Sequence, residues 1–573
     1  MKRILLVVAA LLLTASTALF AQGDLDKIKA LLDQKLYREA IAASKTYLDA
    51  NPREAKGWQY LAQACWKIRN LDSAEMAAKN CLQYDDEAYD GYVTLIDVQL
   101  AKNQVADAYA TARKGLRMGA RNQPKYPPLL VAFGETLIAQ DSADAALIAG
   151  SQARELDPNN PGAYEVMGDA YAKQKVAPMA VDSYEKSLQI DSTQTRVLYK
   201  LANTYTADRR YTPAARVYSR ILALDPGNDS ARIELAGLLF RAQQFSTCAQ
   251  VLTEYFKTHK NPPETLQSIY LDALYRSRYF NEAYPIANEY LKAKPNSPLA
   301  LRAIASFHVI VDKKYSQAIE TYKKLETLDT LDFDDYYRLG YAYRQTKKDS
   351  LAIVTYEAAL KDTLQPAGLR ANMYGELGSL LMNLEKWEPA AESFEKRFDL
   401  DTSAIGALIN YASCMMQLEK FQNAISALRR AIVQNPKFPP SYVKLGFCYY
   451  QMKDYDNGRK EFDDAVHVID TQEVKYRYEL ADSYRMIGLA VMLRKETDPD
   501  ASKRKWEEAV GYLKKSLKAK EDVAQTHVWL GQCYQNLNKI DDAIIEYRRA
   551  LKLDPKNKEA KQNLETLLKI KGQ

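Results

Sequence analysis

One small residue returns at a nearly constant interval along this chain of 573 residues. Ala40, Ala74, Ala108, Ala146, Ala180, Ala214, Cys248, Ala283, Ala318, Ala352, Ala390, Ala424, Gly458, Ala509 and Ala543 form the series. Neighbours are mostly 34 residues apart, with steps of 35 before Ala283 and Ala318, 38 before Ala146 and Ala390, and 51 before Ala509. Ala, Gly or Cys at a fixed phase is what two closely crossing helices require, because a larger side chain would overfill the crossing. Other positions keep the same rhythm. Pairs such as Met167-Gly168, Leu339-Gly340 and Leu530-Gly531 precede the small site, and Tyr184, Tyr218, Tyr356, Phe394 and Tyr547 follow it by four. Pro52, Pro158, Pro226, Pro295, Pro436 and Pro555 stand twelve residues after it.

Within each period the apolar residues fall at helical spacing, in two stretches joined by a short polar turn. Proline after the second stretch cannot donate to a continuing ladder and stops it. A periodicity near 34 residues made of two amphipathic helices resembles the tetratricopeptide repeat family. The resemblance spans residues 24 to 557 as about fifteen units. It implies an all-α fold, a right-handed superhelical solenoid of helix-turn-helix repeats with a concave groove lined by first helices. Each unit then buries its apolar face only against its neighbours. The expected organisation is a leader over 1–21, the array over 22–557, and a polar capping helix over 558–573. Loose joints are expected at 121–126 and 362–366. An insertion at 492–505, MLRKETDPDASKRK, is expected to extend a helix and form an exposed loop.

The first residues, MKRILLVVAALLLTASTALFAQG, combine Lys2 and Arg3, a ten-residue apolar run and small residues before Ala21-Gln22. That is the pattern of a secretory signal peptide cleaved after Ala21. The run is too short to span a bilayer comfortably. Export to the periplasm is the expectation, with an extracellular or outer-membrane-associated location as the alternative. The junction and the Tyr-rich repeats also look like exported repeat proteins of Bacteroidota. Lys and Arg number 79 against 73 Asp and Glu, a formal charge of +6. Near balance over so long a surface argues against nucleic acid as partner.

No nucleophile elbow, phosphate loop, dinucleotide fingerprint or zinc-protease motif occurs. The expected protein is therefore not an enzyme and takes no cofactor or metal. Cys248 occupies the small site, and Cys414, Cys448 and Cys533 share one phase of a first helix, as buried apolar residues do. Cys65 and Cys81 lie in opposite helices of one unit, where either a disulfide or two free thiols fits.

Large side chains at first-helix phases outside the buried template are the candidate groove. They are Tyr199, Tyr275, Arg276, Tyr337, Arg338, Tyr341, Arg344, Lys444, Phe447, Tyr450 and Tyr478, with Trp66, Phe240, Arg241, Arg302 and Arg485 at similar phases. Tyr and Arg are enriched at interfaces; packing against the next unit is the competing reading for each. Some family members clamp a C-terminal carboxylate with Lys and Asn. Here Asn203 matches one such phase, but Tyr199 and Glu234 replace its partners, so the clamp does not carry over. The expected function is a scaffold that binds proteins or peptides through its groove, in assembly or organisation of an envelope complex, with no membrane span and with small molecules disfavoured. A glycan-binding wall protein and a holder of exported polypeptides are the alternatives.

Overall fold

The computed structural model describes residues 23–122, 126–260, 262–469 and 474–572. The expected leader lies outside the described residues, as does part of the joint at 121–126. Among the described residues the regular structure is helical, with one short 3-10 turn at Val474–Tyr476 and no strand. None of these helices is long and apolar enough to cross a membrane.

The helices alternate as fifteen pairs followed by a lone helix, Lys558–Ile570. Repeat two runs Ala55–Lys67 and Leu71–Tyr84, repeat three Tyr89–Ala101 and Val105–Asn122, and repeat four Pro127–Ala139 and Ala143–Leu156. Repeat five runs Pro161–Lys173 and Ala177–Ile190, repeat six Thr195–Ala207 and Tyr211–Leu224. Repeat ten runs Phe333–Gln345 and Asp349–Ala359. This is the all-α solenoid class that the periodicity implies.

All fifteen small residues are buried. The glycine of the Leu-Gly pair explains why. A Cβ on Gly340 would stand 2.4 Å from the ring of Tyr356, and one on Gly168 would stand 2.5 Å from that of Tyr184. The aromatic four residues beyond the small site thus lies flat against bare backbone of the first helix. Tyr184, Tyr356, Phe394, Phe462 and Tyr547 are all at most 2% exposed in that role, and Tyr322, equally buried, meets Ser306 instead of a glycine.

The turn between paired helices is equally regular. Fourteen non-glycine residues adopt left-handed backbone conformations, from Lys35 (φ 62°) through Lys347 (φ 57°) to Asn538 (φ 58°). Each stands five residues before its small residue. At Lys347 the amide donates to the Arg344 carbonyl at 3.0 Å, and the Lys348 amide to Tyr343 at 2.9 Å. That pair of bonds closes the helix end in a Schellman cap, the usual place for glycine. Repeat fourteen alone lacks the left-handed residue.

That repeat carries the insertion, which forms helix extensions joined by a short, largely exposed connection. The helices Arg477–Leu493 and Pro499–Ala519 absorb most of it. Only 494–498 connects them, and Asp498 caps the second by accepting from the Ala501 amide at 2.7 Å. Pro499 at the helix start, where no amide bond is lost, suits the extension.

The chain divides into two compact bodies, one up to Ala283 and one from Tyr284. The boundary falls inside the helix Phe280–Ala293, which contains Pro285, and so at neither expected joint. In the N-terminal body the first helices of repeats two to six pack successively on one another as well as on their own partners. The six cysteines are free thiols, all buried, so the Cys65–Cys81 pairing does not form here. Burial pushes the Cys81 thiol up to about 12.

Candidate functional site

The predicted groove residues do not gather into one cluster; they are distributed over repeats six to fourteen and over both bodies. Tyr199 is half-buried, edge-on to Tyr218 at 5.8 Å, and its hydroxyl accepts from Asn228, whose side chain also caps the next repeat. It is held in the joint between two repeats. Tyr275 meets Phe280 edge-on at 6.1 Å, while exposed Arg276 pairs with Asp272 at 2.8 Å and covers the Phe245 ring. Arg338 is only 8% exposed, with its guanidinium on Asp334 at 2.9 Å, so it is part of the packed helix start rather than an open groove.

Repeat ten does align a stripe. Tyr337, Tyr341 and Arg344 are each half-buried on the first helix. Tyr337 leans on Tyr356 at 6.3 Å and Tyr341 meets Tyr315 of the preceding repeat at 6.0 Å. Arg344 pairs with Glu376 of the following repeat. Burial, with the Glu376 charge, pushes the Tyr337 phenol up. Repeat thirteen presents Lys444, Phe447 and Tyr450 in the same half-buried state, with Phe447 against Phe462 and Tyr450 against Tyr455. Burial holds the Lys444 ammonium below the usual lysine range. Tyr478 lies elsewhere, 55% exposed at the start of its helix, with Lys520 over its ring at 4.4 Å.

A second assembly was missed. In the N-terminal body, a cleft of about 580 Å³ opens along the first helices of repeats two to six. Trp66, Leu100, Ala101 and Ile138 form apolar walls; Lys67, Arg69, Asp97, Glu135, Asp169, Arg196 and Lys200 supply charge. Arg196 donates to Glu165 at 2.7 Å and Glu135 at 3.1 Å. Lys200 donates to Glu165 at 2.7 Å and Asp169 at 2.5 Å. The Tyr184 hydroxyl closes the chain on Asp169 at 2.7 Å. Glu165, 2% exposed, is therefore fully compensated, as a buried charge must be.

Asp97 stands outside this chain of pairs. It makes no hydrogen bond or ion pair among the described residues. Burial and the neighbouring Glu135 push its carboxyl up to about 7, against the opposing charges of Arg196, Lys67 and Arg69. Glu135 is raised likewise, by burial first. The signal was in the sequence: Asp97, Glu135 and Asp169 stand eleven residues before Ala108, Ala146 and Ala180, the same first-helix phase in three consecutive repeats.

Tetratricopeptide-repeat family models match residues 25–80, 336–361 and 524–557. These segments are similar to tetratricopeptide repeats. Proteins built from such repeats generally bind other proteins. Among curated relatives, the chain is 28% identical over 110 residues to a tetratricopeptide repeat protein 21 homolog of Caenorhabditis elegans, covering 19% of this chain and 8% of that protein. It is 23% identical over 225 residues to a BBSome complex member BBS4 homolog of Drosophila melanogaster, covering 37% and 46%. It is 26% identical over 172 residues to the type IV pilus assembly protein PilF of Pseudomonas aeruginosa, covering 30% and 66%. The chain thus spans less than half of the first two relatives. Among solved structures it resembles the C-terminal part of a repeat-containing protein from Cytophaga hutchinsonii at 19% identity and TM-score 0.35, covering 52% of this chain and 99% of that one. MamA matches at 27% identity and TM-score 0.27, over 32% and 95%.

Proposed function

We propose that this chain is an exported tetratricopeptide-repeat scaffold that binds a protein partner through its first-helix faces, without catalysis, and organises an envelope complex from the periplasmic side. The observation that carries the binding reading is the stripe of repeat ten. Tyr337, Tyr341 and Arg344 keep part of their surface open along one face of the first helix, while the two tyrosines also rest on the core beneath. Aromatic and guanidinium groups so placed offer stacking area and directional donors, the usual composition of an interface anchor. Export rests on the leader-like residues Met1 to Gln22.

A photo-crosslinking residue in place of Tyr341, compared in living cells with one at Val354, tests the reading. Val354 lies on the second helix of the same repeat and is 62% exposed. A defined protein adduct from 341 and not from 354 is expected. Equal capture at both positions overturns the groove, and adducts with wall polymer alone favour glycan binding. Sequencing the protein recovered from the envelope checks export: the mature chain should begin at or near Gln22, and an intact Met1 rejects it.

A further inference from the structure

We propose that the cleft above Asp97 and Glu135 receives a cationic side chain, a guanidinium or ammonium presented by an extended peptide segment. The site lies in the N-terminal body, on residues other than the stripe of repeat ten, and stands whether or not that stripe binds. Its floor carries two acids from adjacent repeats at one phase. Among the described residues Asp97 has both oxygens unpaired, and Glu135 has one oxygen taken by Arg196 and the other unpaired. An uncompensated carboxylate in a cleft is costly, and a second beside it adds repulsion. A cation between them removes both penalties.

The walls suit the stem of such a side chain. Trp66, Leu100, Ala101 and Ile138 would cover the methylenes of arginine or lysine while its head reaches the floor. The volume, about 580 Å³, has room for a side chain with the adjoining backbone. Among the described residues no three acids, His or Cys converge as ligands for a metal ion, so an organic cation is the class that fits. Lys67 and Arg69 at the edge, with Arg69 over the Trp66 ring at 4.6 Å, repel a run of positive charge and favour a single cation flanked by acceptors. A planar guanidinium spanning two carboxylates makes paired charge-assisted bonds, so arginine should exceed lysine.

Binding should carry a proton signature. Around Asp97 the charged groups are Lys67 and Arg69 from repeat two, Glu135 from repeat four and Arg196 from repeat six. Only the ionised carboxylate attracts the ligand. With Asp97 titrating at about 7, affinity should fall about tenfold between pH 8 and pH 6.

The test is calorimetry on the full chain with acetyl-Gly-Arg-Gly-amide and with the same peptide carrying neutral, isosteric citrulline. At pH 8 the arginine peptide should bind one site at least tenfold more tightly than the citrulline peptide, and lose about tenfold at pH 6. Asp97→Asn should remove the preference and the pH dependence, with the helical circular dichroism intact. Tyr341→Ala should leave the binding unchanged, which separates this site from the groove. Equal binding of the two peptides to the unaltered protein overturns the proposal without any variant, as does an Asp97→Asn chain that binds like the original.

Discussion

Asp97 is a residue the fold tolerates rather than uses. Its carboxyl is held above the ordinary range by burial and by Glu135. The folded state therefore binds a proton more tightly than the unfolded chain. Stability from this group is greatest below the unfolded carboxyl's value near 3.8 and falls as pH rises towards about 7. Asp97→Asn, which cannot ionise, is expected to raise the melting temperature at pH 8 and to raise it less at pH 5. An identical shift at both pH values would show that the side chain's charge is unimportant. Nothing in the local sequence marks Asp97, since an acid at a first-helix phase reads as an ordinary solvated charge. Only its alignment with Glu135 and Asp169 down the array distinguishes it, and that requires the repeat frame first. Arg338 errs in the opposite direction. Its phase suggested an open side chain, whereas the i,i+4 pair with Asp334 folds it into the helix start.

At the scale of the helix pair, the decisive contact is ring on bare backbone. Gly340→Ala puts a methyl 2.4 Å from the Tyr356 ring, which is fully buried and cannot retreat freely. A loss of roughly 1–3 kcal/mol is expected, read from denaturant midpoints. The turn offers the converse experiment. Lys347 holds a conformation that costs a non-glycine residue of order 1–3 kcal/mol. Lys347→Gly relieves it but loosens the unfolded chain by roughly 0.5–1 kcal/mol, so a small net gain is expected. Lys347→Val, β-branched at positive φ, should lose stability instead. The pairing, the small residues and the aromatic at the crossing were legible because each answers a steric demand that excludes most side chains. The left-handed turn was not. Lys, Arg, Asp, Asn, Glu and Gln all occupy it, and the backbone bonds that enforce it belong to the preceding helix rather than to the residue itself.

Across the whole molecule, each repeat leans on its sequence neighbours, and stability is close to a sum of local terms. Ala352→Leu, at a fully buried crossing, should cost roughly 1–3 kcal/mol and speed hydrogen exchange in repeats nine to eleven. Exchange near residue 60 should hardly change; uniform loosening would contradict a chain of neighbour couplings. The interval also located the irregular repeat fourteen; its charged stretch with Asp-Pro suits both a loop and a helix start, and both occur there, the connection at 494–498 and the helix from Pro499. The recurring left-handed joint has a consequence for how such a chain can be edited. Arg209 and Gln243 are the same joint, one period of 34 residues apart. Cutting after each and rejoining Arg209 to Gln244 presents the incoming helix with the exit geometry that it already meets. Genetic duplication or loss between two such points would then change the number of repeats without creating a new kind of turn. The array's length is free to drift by whole periods, like a tally, while its fold stays the same.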